Sequence, residues 1–91
     1  MKMVKGYTDK ELQIAITEAH EASWDNLDRL KAAKKCGCFY CCRIFDAKQI
    51  KDYCSDTTAL CPYCGIDSVL GDNEGFPITL TFLRVMNEAW F

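Results

Sequence analysis

Apolar side chains recur along the first third of the chain at three- and four-residue steps: Leu12, Ile16, Ala19, Ser23, Leu27 and Leu30 share one stripe. That period predicts an amphipathic helix. "YTDKEL" supplies its start, with Thr8 as N-cap, Glu11 three residues on to complete a capping box, and Asp9 in the first turn. No Gly or Pro intervenes before Gly37, so helical character is expected to reach about Lys35, where Lys31, Lys34 and Lys35 suit the negative end of the dipole. A single helix of that extent would be about 40 Å long, longer than a small domain is wide. A break is allowed near Ser23 or Asp25, either of which can cap a second helix.

Beyond Gly37 the period changes. "CCRIF" (41–45) and "TTALC" (57–61) are short, apolar and β-branched enough to pair as strands. Between them, "DAKQIKDYC" reads as a short helix capped by Asp46, with Ile50 and Tyr53 or Cys54 on one face. "GDNEGF" (71–76) is a turn-rich loop. Thr79 then caps a last helix carrying Leu80, Leu83, Val85, Met86, Trp90 and Phe91. The implied class is α+β: a helical arm over residues 1–35, and a compact unit over 36–91 holding a zinc-ribbon-like hairpin and a C-terminal helix.

A 91-residue chain buries a limited fraction of its surface and needs a staple. Seven cysteines are the obvious candidates. The N-terminus carries Lys2 and Lys5 without the apolar core of an export signal, and no apolar run is long enough to span a membrane. A cytoplasmic, reducing setting is therefore expected, where closely spaced cysteines hold metal more often than they form disulfides.

Cys38-Phe39-Tyr40-Cys41 and Cys61-Pro62-Tyr63-Cys64 are matched C-x-x-C pairs with 19 residues between them. Each two-residue loop aims both thiolates at one ion, and the two pairs together complete a tetrahedron, the arrangement of a four-cysteine Zn²⁺ site. Pro62 restricts entry to the second loop, and Gly65 permits the backbone turn that lets amides reach sulfur. Cys42 stands where Gly65 stands in the second pair. Cys36, Cys42 and Cys54 are read as spare, buried thiols, with replacement of a ligand by one of them left open.

The stretch "CGCFYC", then "TALCPYCGIDSV", then a terminal "WF" resembles a group of small uncharacterised bacterial and phage-borne proteins commonly labelled only as cytoplasmic proteins. The resemblance spans residues 36–91 and implies a zinc-ribbon-like module at Cys38, Cys41, Cys61 and Cys64, without transferring an activity. The chain departs from that pattern at Cys42, where an aliphatic residue is usual, and at Tyr53, where Trp is common.

Charge separates the candidate functions. Residues 29–51 hold seven Lys/Arg against Asp46 alone, while acidic residues dominate on both sides. Arg29, Lys31, Lys34, Lys35 and Arg43 could follow a phosphate backbone while Phe39, Tyr40 and Tyr63 stack on bases. Against catalysis stand a closed four-thiolate shell, a single histidine (His20) on an apolar helix face, and no converging carboxylates. Asp67 and Ser68 are expected to serve structure, Asp67 by bonding nearby backbone or orienting Arg43. The leading expectation is a non-enzymatic zinc-binding module for an unidentified protein partner, followed by nucleic-acid binding through residues 29–51, with a metal-dependent enzyme third. The stripe through Leu12, Ile16, Leu27 and Leu30 looks too long for the zinc half to cover, which suggests pairing with a second copy.

Overall fold

The computed structural model describes Val4 and residues 6–91; Lys2 and Lys5, noted above for the absence of an export signal, lie outside them. The fold is α+β, with the elements α1 (Asp9–Ala22), α2 (Leu27–Leu30), β1 (Lys35–Cys38), β2 (Ile44–Asp46), β3 (Tyr53–Cys54), β4 (Thr58–Ala59), β5 (Val69–Gly71) and α3 (Leu80–Trp90). No helix among the described residues is long and apolar enough to cross a membrane.

The capping box at Thr8 forms as expected, the Glu11 amide donating to Thr8 Oγ1 and the Thr8 amide to Glu11 Oε1. Thr79 caps α3 by accepting from the Phe82 amide. The first helix stops at Ala22, where Ser23 closes it and Asp25 turns the chain with φ 51°, so the allowed break is real. Helix does not continue to Lys35. After the single turn of α2, Lys35 opens a strand, its amide and that of Lys34 donating to the Asp72 carboxylate at 3.1 Å each.

Strand pairing differs from expectation. β1 lies at the centre of a three-stranded antiparallel sheet, order β2-β1-β5, while β3 and β4 form a separate hairpin. "CCRIF" therefore pairs with "KCGC" and not with "TTALC". "KCGC" offers no apolar alternation, because its inward positions are filled by cysteine and glycine. The expected helix at 46–54 shrinks to one 3-10 turn, Ala47–Gln49, after which Tyr53 and Cys54 enter β3.

The sheet separates two apolar clusters because successive strand residues point to opposite faces. On one side Leu70 joins Leu12, Ile16, Ala19, Phe82, Leu83 and Met86 of the two long helices. On the other, Cys36, Cys38, Phe45 and Val69 meet Leu30, Ala59 and Cys61. Gly37 faces the helices, and a Cβ there would stand 2.8 Å from Leu83 Cδ1, so the missing side chain is what lets α3 approach.

The stripe on α1 is thus core within one chain. Leu12 and Ile16 are 1% and 5% exposed beneath α3, and Leu30 is buried in the opposite cluster, while Leu27 is half-buried against it. The expected need for a second copy to cover that stripe falls away.

Asn26 links the layers. Fully buried, it donates from Nδ2 to the Val69 carbonyl at 2.8 Å and accepts at Oδ1 from the Ala59 amide at 3.1 Å, tying the α1–α2 junction to β5 and β4. Asn26→Ala is expected to lower unfolding free energy by about 2–4 kcal/mol, since it orphans a buried donor and a buried acceptor, read as a denaturation midpoint shift. Gly37→Ala is expected to cost about 1–3 kcal/mol by overpacking Leu83.

Candidate metal centre

The two C-x-x-C segments are near-copies that repeat the same hydrogen bonds at their first cysteine and differ in that the Gly65 amide also donates to the Cys61 carbonyl at 2.9 Å. The Cys38 amide donates to the Arg43 carbonyl at 3.0 Å and the Cys61 amide to the Ile66 carbonyl at 3.0 Å, so both turns close five residues on. The Tyr40 amide reaches Cys38 Sγ at 3.4 Å, and the Tyr63 amide reaches Cys61 Sγ at 3.4 Å. The residue after each second cysteine has positive φ: 61° at Cys42 and 77° at Gly65. Cys42 therefore does the backbone work of a glycine while its half-buried side chain packs on the helical cluster, which accounts for its position after Cys41 without making it a ligand.

β1 delivers Cys38 and β4 leads into Cys61, so the sheet and the small hairpin bring the copies face to face. The four Sγ atoms of Cys38, Cys41, Cys61 and Cys64 lie within 4.8 Å of one another. The cross-pairs Cys38–Cys64 and Cys41–Cys61 are 3.6 and 3.7 Å apart. A tetrahedral ion with metal–sulfur bonds near 2.3 Å sets sulfurs about 3.8 Å apart, so the donor set fits such an ion. These four cysteines can hold a metal ion.

Electrostatics points the same way. Burial holds the Cys38 and Cys64 thiols above the ordinary value. At Cys61 burial also opposes the thiolate, but the amides of Cys64 and Tyr63 and the thiols of Cys64 and Cys41 outweigh it, and that thiol sits below the ordinary value. The thiolate is thus favoured at Cys61 and disfavoured at Cys38 and Cys64. A divalent cation reverses that balance and displaces the remaining protons. Cys36, two residues before Cys38, belongs elsewhere: it is fully buried, burial with Asp72 and Glu74 nearby pushes its thiol up to about 12, and it lies outside the four-sulfur group. Cys54 is half-buried in β3 and also lies outside it.

The other candidates disperse. Phe39 is only 2% exposed, packed among the helices, and cannot stack on a base. Tyr40 is exposed but meets the Phe91 ring edge-on at 4.8 Å, and its carbonyl accepts from Asn87 Nδ2. Tyr63 lies under Arg43, whose guanidinium carbon is 4.8 Å from the ring centroid, and its hydroxyl accepts from Gln49 Nε2 at 3.0 Å. Arg29 is structural: it pairs with Glu74 at 2.6 Å and donates to the carbonyls of Ala22, Trp24 and Asp25. Lys31 pairs with Asp28 and Lys35 with Asp46, leaving Lys34 and Arg43 of the expected set without an ion pair among the described residues. His20 is exposed and stacks on Trp90 at 3.8 Å. Ser68 is buried, its carbonyl accepting the Phe39 amide. Asp67 is exposed beside a cleft and is hydrogen-bonded neither to nearby backbone nor to Arg43. Sequence reasoning missed Asn26 and the cleft altogether; a lone Asn between helices carries no periodic signal.

Comparison with family models, with curated proteins and with solved structures gave no match. Function must therefore be argued from the site.

Cys61→Ser and Cys64→Ser are expected to abolish stoichiometric metal uptake, whereas Cys36→Ser and Cys54→Ser should retain it. The first of the latter pair should still cost about 1–3 kcal/mol for a buried hydroxyl. Metal affinity should weaken as pH falls, because protons compete for the same sulfurs; cobalt charge-transfer absorbance measured across a pH series reads this directly. At Gly65 nothing lies within 4 Å of an added Cβ, so Gly65→Ala should cost only the left-handed backbone penalty, about 1–2 kcal/mol, with metal still bound.

Proposed function

We propose that the chain is a non-catalytic, zinc-binding protein of the cytoplasm that presents a rigid surface to a protein partner. The observation that carries the reading is the convergence of four cysteine sulfurs within 4.8 Å on two similarly hydrogen-bonded turns. Four thiolates in a tetrahedron suit Zn²⁺ and leave no position for a reacting water, so the ion is structural. None of the seven cysteines is in a disulfide, in keeping with a reducing compartment.

Magnitudes support the structural role. Apparent zinc-binding free energies of about 10–16 kcal/mol in small modules equal or exceed the whole stability of a typical domain, about 5–15 kcal/mol. Removing the ion should therefore unfold the protein. Elemental analysis is expected to give one zinc per chain, and a strong chelator should abolish the cooperative melt. Iron in place of zinc, or a melt indifferent to chelation, would overturn the assignment.

Nucleic-acid binding remains a second reading, favoured by one observation. Lys48 and Lys51 border a groove with Tyr63, on which Arg43 rests. In that case affinity for single-stranded oligonucleotide should fall steeply with salt, and Lys48→Glu with Lys51→Glu should weaken binding to every sequence alike. Salt-insensitive or undetectable binding would retire it.

A further inference from the structure

Three segments distant in sequence enclose a cleft of about 410 Å³ on the metal side of the sheet: the α1–α2 junction at Trp24 and Asp25, the β3–β4 hairpin at Cys54, Thr57 and Thr58, and the turn after the second metal loop at Asp67. Its charged lining consists of two carboxylates, Asp25 and Asp67, and no cation among the described residues joins them. Asp56 extends the negative rim, sharing with Asp25 a smaller adjoining hollow.

Trp24 is the second observation. Its side chain is 68% exposed, yet its backbone is fixed. Arg29 donates to the carbonyls of Trp24 at 3.2 Å and Asp25 at 3.1 Å, and the Asp25 amide donates to the buried Thr58 hydroxyl at 2.9 Å. The charge of Arg29 is engaged by Glu74 and does not line the cleft. An exposed indole on a hydrogen-bonded backbone, beside two carboxylates that have no ion-pair partner among the described residues, is a surface complementary to a planar cation. An aromatic face attracts a guanidinium, and carboxylates accept its N–H groups in a fixed geometry. The same carboxylates repel phosphate, so this face does not suit a nucleic acid.

We propose that the cleft seats an arginine side chain from a basic segment of the partner protein, an inference that rests on the adaptor reading above. The metal centre holds one wall: Asp67 follows Ile66, whose carbonyl accepts the Cys61 amide. The pocket and the ion are thereby mechanically joined.

The probe is an eight-residue peptide of alternating arginine and glycine, titrated into the zinc-loaded full chain, with a glutamate–glycine peptide as control. Calorimetry and amide and indole resonances give the readout. The expected result is saturable binding of the arginine peptide alone, weakened by salt, with the Trp24 indole resonance shifted. Trp24→Ala, and separately Asp25→Asn with Asp67→Asn, should each lose at least about tenfold in affinity. Both sets leave the fold intact, because Trp24 is exposed and Asn tolerates the positive φ of position 25. Binding that survives both variants, equal binding of the glutamate peptide, or none at about 1 mM peptide overturns the pocket. Zinc content and the native spectrum are checked on every sample. A chain without zinc defeats the adaptor reading and the pocket with it, whereas a zinc-loaded, folded chain indifferent to the arginine peptide defeats the pocket alone.

Discussion

Four sulfurs held within 4.8 Å are poorly placed as thiolates, which repel, and gain little as buried thiols. A cation at their centre removes both difficulties. Much of the architecture leads to or from that point. β1 ends on Cys38, the β3–β4 hairpin hands the chain to Cys61, and the turn after Cys64 delivers Val69 and Leu70 to the sheet. The chain has too few apolar residues on the metal side to define those positions by packing alone: Leu30, Phe45, Ala59 and Val69 share that cluster with cysteines. On the proposed reading, metal coordination supplies there what a larger protein obtains from a deeper core.

What the sequence revealed followed local rules. The capping residues Thr8 and Thr79, the break allowed near Ser23 and the C-x-x-C spacing are all decided by neighbours a few positions apart, and the structure agrees on each. What it concealed depended on distant contacts. β1 is built on "KCGC", whose strand character comes from pairing with β2 and β5 rather than from propensity. The α1 stripe looked uncovered because nothing local shows that α3 returns over Leu12 and Ile16, with Phe39 from the metal loop filling the same cluster. Asn26 is the extreme case, since its importance lies wholly in two backbone groups more than thirty residues away.

The basic segment illustrates the same limit for charge. In sequence, residues 29–51 form one positive block between acidic flanks. In space the flanks fold back on it: Asp72 accepts from the amides of Lys34 and Lys35, and Glu74 takes Arg29. Part of the block is thus spent on fixing the loop at 71–76 against the start of β1. Linear charge runs overstate a surface whenever the compensating residues arrive from elsewhere in the chain.

The placement of Cys38 and Phe39 has a wider consequence. These two consecutive residues enter opposite clusters, as do Val69 and Leu70. The sheet is thus a wall that both clusters share. On the proposed reading, loss of zinc would uncover the apolar stripe of α1 to proteases and quality-control machinery. The abundance of the protein in a cell would then track the supply of zinc, with no separate sensor required.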